Sequence, residues 1–211
     1  MRSDLIFWDV NTQVDLMRSN GKLYIPDSES IIPALKQLTD HAHERGIRIL
    51  ASADDHIPED PELSDTPDFR ETFPQHCMRG TPGQQKIPET TLRHVLLIEP
   101  EPRDTTTLAA KVRNHDGDIL FHKHSMDSFT NPNVLPVVHA LAPARVVLYG
   151  VALDFCDRYI IEGLLQHRPG IRVALVTDAA RALHADVAAR LLRDWDQRGV
   201  QLLTARQVLA A

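Results

Sequence analysis

Residues 146–151 read VVLYGV, and five positions further on Cys156 closes the run GVALDFC, residues 150–156. A short, nearly unbroken apolar run is the pattern of a strand covered on both faces, as in parallel sheets flanked by helices. A thiol just beyond such a strand, where the next helix starts, meets free backbone N–H groups and the positive end of the helix dipole. Both favour the thiolate and offer donors to a developing oxyanion. The stretch therefore predicts a parallel α/β sheet and points to a cysteine nucleophile, the chemistry of a cysteine hydrolase.

Working outward, five more runs read as buried strands: 4–10, 47–52, 95–98, 119–123 and 173–177. Periodicity and end signals predict helices over 28–45 closing at Gly46, 131–141, 155–166 ending near Pro169–Gly170, and 184–198 closing at Gly199. Residues 202–209 add a last strand fragment and a short helix. Strands alternating with helices imply right-handed crossovers. The expected fold class is α/β, an open six-stranded parallel sheet with helices on both faces, forming a single domain over residues 1–211. A chain of 211 residues with 43% apolar content can bury a core of that size. The Pro-, Asp- and Gly-rich segment 57–87 is too long for a tight turn and reads as an ordered functional loop.

Composition narrows the partners. A formal charge of −6 leaves no basic footprint, so neither nucleic acid nor an anionic membrane is expected, and a small neutral or cationic substrate fits better. The opening MRSDLIFWDV runs straight into a strand pattern, so neither a signal peptide nor a transmembrane helix is expected, and the cytoplasm is the expected location. Two cysteines, Cys77 and Cys156, do not make a disulfide framework. Cys77 lacks a strand-to-helix setting and reads as buried packing.

Open parallel sheets bind ligands beyond the carboxyl ends of their strands, and there the ionisable residues gather. Asp9 closes one strand, where it either exchanges a proton with a substrate or caps the following turn. Asp15 reads as a turn or capping carboxylate. Lys123 closes another strand, on the face opposite His122 and His124; it either holds a nearby anion ionised or snorkels from the sheet edge. Asp54, His56 and His76 have the composition of a two-histidine, one-carboxylate site that leaves positions open on a divalent metal, with a solvated loop as the alternative.

Taken together, FWDVNTQVDLM (7–17), ASADDHIP (51–58), FPQHCMRGTPGQQKIPET (73–90), FHKHSMDSFTNPN (121–133), and GVALDFCDRYIIEGLL (150–165) with VALVTDAARAL (173–183) after it closely resemble the isochorismatase-like cysteine hydrolase superfamily, and within it the nicotinamidases. The resemblance covers nearly the whole chain. It implies a Rossmann-like six-stranded sheet and a triad of Asp9, Lys123 and Cys156. It also implies a divalent metal (zinc, manganese or iron) on Asp54, His56 and His76, and a cis peptide between Val151 and Ala152. The backbone N–H groups of Ala152 and Cys156 would then form an oxyanion hole.

The implied reaction is thioester-mediated hydrolysis of a small, nicotinamide-like carboxamide to an acid and ammonia. A carbamoyl or ureido substrate, an isochorismatase-type hydrolysis and a non-catalytic scaffold of the same fold are the alternatives. Trp8 and Phe129 are candidates to wall an aromatic ring, with packing in the core as the alternative. Family members often associate, and the apolar helix 155–165 either serves such a homo-oligomer or packs on the sheet. Two departures stand out: the first motif reads DVNTQVD where many members have DxQxDF, and Cys156 is followed by Asp157 where a small apolar residue is usual. Asp157 is expected to point to solvent.

Overall fold

A computed structural model describes residues 4–210. Seven parallel strands form one sheet in the order β3-β4-β2-β1-β5-β6-β7. They are β1 (Leu5–Val10), β2 (Arg48–Asp54), β3 (Leu96–Ile98), β4 (Ile119–Lys123), β5 (Arg145–Val151), β6 (Arg172–Arg181) and β7 (Gln201–Leu203). The sequence reading expects six; the seventh is the fragment near 202, a three-residue strand paired to β6 through Leu175↔Leu202. The helices are α1 (Val14–Met17), α2 (Ser28–Arg45), α3 (Thr105–Asn114), α4 (Val134–Leu141), α5 (Arg158–His167), α6 (Ala185–Gln197) and α7 (Ala205–Leu209). Of these, α1 and α3 are not anticipated by the sequence patterns. Among the described residues no helix is long and apolar enough to cross a membrane.

Strand alternation sorts the core into two layers. Ile6, Trp8 and Val10 of β1 face one layer with Leu108 and Val112 of α3, Val137 of α4, Ile160, Ile161 and Leu164 of α5, and Trp195 of α6. Phe7 faces the other with Leu16 and Met17 of α1, Ile31, Leu35 and Leu38 of α2, and Val208 of α7. Burying each Leu or Ile contributes about 1.5–3 kcal/mol relative to exposure, so both layers are needed to hold the sheet. The apolar face of α5 is spent inside the chain: it packs on the sheet.

The strand order reverses at β1, which lies between β2 and β5. The ends of β4, β2, β1 and β5 are therefore neighbours, and such a crevice is where open α/β sheets hold ligands. Asp54 and Lys123 stand side by side in the ladder. After β5 the chain makes a π-type turn, Leu153–Asp157, before α5 begins, so Cys156 lies in that turn. The Val151–Ala152 peptide is cis, as the resemblance implies. The long segment after β2 is ordered over this edge of the sheet by the bridges His56↔Met78 and Leu63↔Phe73.

Gly150 shows how tightly β5 and β1 approach. Its φ of +133° suits glycine, and a Cβ built there would lie 2.0 Å from the Val10 carbonyl oxygen. Gly46, which ends α2 at φ +65°, has open space around it. Gly150→Ala should therefore cost more than about 2 kcal/mol, from strain plus backbone collision, while Gly46→Ala should cost about 1 kcal/mol from strain alone. Denaturant unfolding checks the pair; equal losses would remove the close-approach account.

Candidate active site

The site is assembled around Lys123. Its side chain is fully buried, and its ammonium is satisfied by three partners: the Asp54 carboxylate, the Ser125 carbonyl at 2.9 Å and the Cys156 sulfur at 3.5 Å. A buried cation is tolerable only when paired in this way. Burial alone would strip the proton from Lys123, but Asp54 and then Cys156 outweigh it and hold the ammonium above its ordinary range. Burial likewise opposes ionisation of Asp54, and Lys123, His56 and His76 reverse the effect, leaving its carboxyl below the usual range.

The second group on the sulfur is Asn11. Its Nδ2 donates to Asp54 Oδ2 at 2.7 Å and to Cys156 Sγ at 3.3 Å. Asn11 follows β1 at a φ of +48°, a left-handed turn that asparagine accepts more readily than most residues. Gln13 fixes the end of β2 from both sides, accepting from the Asp54 N–H and donating to the Asp54 carbonyl, each at 2.8 Å.

Asp9 does not join this group. Its carboxylate accepts from Thr12 Oγ1 and from Lys86 Nζ, both at 2.8 Å, and bonds neither the sulfur nor the Lys123 amine. The residue of the first motif that reaches the sulfur is thus Asn11, two positions on, which leaves β1 in a left-handed turn with its N–H on the Ser52 carbonyl of β2. Trp8 takes the core alternative. One residue from Asp9 on a strand, it points into the opposite core layer against Phe121. Phe129 covers Gly163 of α5 and contacts the His167 ring. The aromatic walls of the crevice are Phe73 and Phe155, flanked by apolar residues such as Leu16, Met126 and Leu183, and Asp54, Glu62, His76 and Cys156 also line it.

The donor set for a metal is close-knit. One ligand atom each from Asp54, His56 and His76 lies within 4.8 Å of the others. His76 Nδ1 donates to the Pro74 carbonyl at 2.8 Å, and His56 Nδ1 contacts Asp60 Oδ2 at 2.8 Å, so both rings turn Nε2 towards Asp54, at 3.9 and 4.0 Å. His56 Nε2 is buried with no hydrogen bond of good geometry, although Glu62 Oε1 lies 3.2 Å away. A buried ring nitrogen left without a bond and facing carboxylates is what a divalent cation would satisfy. Glu62, which no spacing rule singles out, is brought beside His56 of this set next to the loop bridge at Leu63. Burial pushes His76 below its ordinary range, which leaves its nitrogen free to ligate. For His56, burial acts in the same direction but is outweighed by Glu62 and Asp54, so its value is raised.

Burial pushes the Cys156 thiol up to about 12, opposed by Lys123 and reinforced by the carboxylates of Asp54, Glu62 and Asp157. Cys77 is buried and unbridged, and burial pushes its thiol well above the ordinary range. Asp157 is not solvent-facing as expected: its carboxyl is fully enclosed, and neither oxygen has a hydrogen-bond partner. Burial, with Asp154 and Asp9 adding to it, pushes the Asp157 carboxyl well above the usual range.

Comparison with known proteins follows from this geometry. The family model described as "Isochorismatase domain" matches residues 99–207. The chain belongs to the isochorismatase family. A curated relative within reach of sequence comparison is the nicotinamidase/pyrazinamidase of Mycobacterium tuberculosis (strain ATCC 25618 / H37Rv), 24% identical over 185 residues, covering 83% of this chain and 84% of the relative. In fold, this isochorismatase-family chain matches the pyrazinamidase of Pyrococcus horikoshii, solved in complex with zinc, with a TM-score of 0.73, 21% identity and coverage of 95% and 99% of the two chains. It also matches the N-carbamoylsarcosine amidase of Thermoplasma acidophilum, with a TM-score of 0.70, 20% identity and coverage of 95% and 96%.

Two measurements check this description. Asp60→Asn should loosen the orientation of His56 and weaken zinc binding about 10- to 100-fold by calorimetry; unchanged affinity would exclude His56 as a ligand. For Asp157, a folded-state pKa above the unfolded one means that its neutral form stabilises at low pH and that this contribution fades as pH rises past the unfolded value near 4. Asp157→Asn should therefore gain stability relative to wild type as the pH is raised from about 5 to 8, in proportion to the lost protonation. A gap between the two proteins that stays constant with pH would show Asp157 to be charged.

Proposed function

We propose that this protein is a cysteine amidohydrolase, in which Cys156 attacks the carbonyl carbon of a small carboxamide and expels ammonia through a thioester. The observation that carries the reading is the sulfur itself, at the wall of an apolar crevice, bonded by the Lys123 ammonium and the Asn11 amide. Both donors stabilise negative charge as it develops on sulfur, and in a dry site such fixed dipoles need no reorganisation. The proton given up by the thiol is the one the departing nitrogen takes, so acylation is balanced without a further acid. The N–H groups of Ala152 and Cys156 are assigned to the oxyanion of the tetrahedral intermediate.

Phe73, Phe155 and Met126 suit a flat ring, and the curated relative's name supports a nicotinamide-like one. A divalent ion held by Asp54, His56 and His76 with Glu62, zinc by analogy with the Pyrococcus complex, would supply a positive charge that binds a polar atom of the substrate. The similarity in fold to a carbamoylsarcosine amidase keeps a carbamoyl group as the second reading.

Ammonia release from nicotinamide, pyrazinamide and a set of ureides separates the two. Cys156→Ala should lower turnover of the accepted substrate by at least about 1,000-fold, the scale of losing a covalent nucleophile. Full turnover in that variant would end the covalent reading.

A further inference from the structure

Among the described residues two groups hydrogen-bond the Cys156 sulfur, each as a donor: the Asn11 amide at 3.3 Å and the Lys123 amine at 3.5 Å. Among the described residues no carboxylate or imidazole bonds the sulfur. The acids and the imidazole around it are engaged elsewhere. Asp54 is bonded by Lys123 on one oxygen and by Asn11 on the other. Glu62 takes the Met126 N–H at 2.8 Å and faces His56. His76 turns Nε2 into the metal donor set, Asp9 is tied to Thr12 and Lys86, and the Asp157 carboxyl is fully enclosed and makes no bond to the sulfur. Asn11 Oδ1 is buried without a protein donor, so it can orient a polar hydrogen but, as an amide oxygen, cannot remove one.

We propose that Asn11 splits the two halves of the reaction, promoting formation of an acyl-thioester on Cys156 while leaving its hydrolysis without a base, so that the acyl-enzyme accumulates. The inference rests on Cys156 being the nucleophile. In acylation the new C–S bond replaces the C–N bond, and the thiol supplies the proton that the leaving nitrogen needs. In deacylation a water must lose a proton as its oxygen bonds the acyl carbon and the C–S bond breaks. The sulfur is then acylated, and its two neighbours are an amide and an ammonium. Hydroxide from solution becomes the effective nucleophile. A carboxylate at position 11 would stand where it could take that proton, and a positioned base contributes about 10²- to 10⁴-fold.

The test uses zinc-loaded protein and p-nitrophenyl acetate, an acyl donor whose leaving group departs as a stable anion whatever the natural substrate. Wild type should release one burst equivalent of p-nitrophenolate per chain, and intact-mass analysis should find the acetyl group on Cys156. The adduct should decay about tenfold faster for each unit of pH between about 6 and 9, as hydroxide attack requires, and Asn11→Asp should clear it at least about 100-fold faster at neutral pH. A pH-independent decay in wild type reveals a base and overturns the proposal even if the variant does not fold; so does equal decay in a folded variant. Failure to acetylate Cys156 overturns it together with the nucleophile assignment. Nicotinamide run in parallel isolates the substrate reading: no ammonia from either protein, with the acetyl results as expected, rejects the carboxamide and leaves the role of Asn11 standing.

Discussion

A single buried cation sets the terms for the whole crevice. The Lys123 ammonium sits at the end of β4 with no access to solvent and is held there by Asp54, the Ser125 carbonyl and the Cys156 sulfur. Desolvating an ammonium costs several kcal/mol, and the cost is offset only while the partners stay in place. Three things must therefore be positioned around it: the in-register end of β2, the loop after β4, and the turn after β5. The strand order β4-β2-β1-β5 supplies all three from adjacent ladders, and Gln13 pins the Asp54 backbone so that the carboxylate cannot drift.

The same arrangement divides the site into two charge neighbourhoods. On one side, Asp54 and Glu62 with two imidazoles form a negative, oxygen- and nitrogen-rich pocket suited to a divalent ion. On the other, the sulfur's hydrogen-bond partners among the described residues are both donors. Asp54 belongs to both, since it anchors Lys123 and Asn11 while facing the histidines. The carboxylates that favour a cation are the same ones that push the Cys156 thiol up, so charge supplied to the donor set would also ease ionisation of the sulfur across the shared carboxylate.

Much of this was legible in the sequence where a local pattern carries the information. Apolar runs located the strands; β4 is Ile119–Lys123 in both readings, and Gly46 ends α2 as expected. The three-residue β7 is too short to show a period, and α3 was hidden because its first turn is three threonines and only Leu108 and Val112 are buried. Within the site, Lys123, Cys156, Asp54, His56 and His76 come together. Of the two readings open for Trp8, alternation favours the core one, since it puts the ring opposite Asp9. Asp9 is the carboxylate that closes β1, but the chain's left-handed turn at Asn11 is what brings an amide to the sulfur, and a single positive φ at a non-glycine residue leaves only a weak trace in composition. Glu62 depends on a loop bridge between Leu63 and Phe73, a long-range contact that spacing does not encode. Asp157 looked like a helix-start carboxylate, but the π-type turn rotates it inward.

The account stands on Lys123 stabilising charge on the Cys156 sulfur. The most direct measurement is the pH profile of Cys156 alkylation by iodoacetamide in zinc-loaded wild type and Lys123→Met, with Cys77 labelling followed separately by mass. The account predicts that the midpoint for Cys156 rises by at least about one unit in the variant, as loss of a neighbouring cation requires. Superimposable profiles in two folded proteins would contradict it.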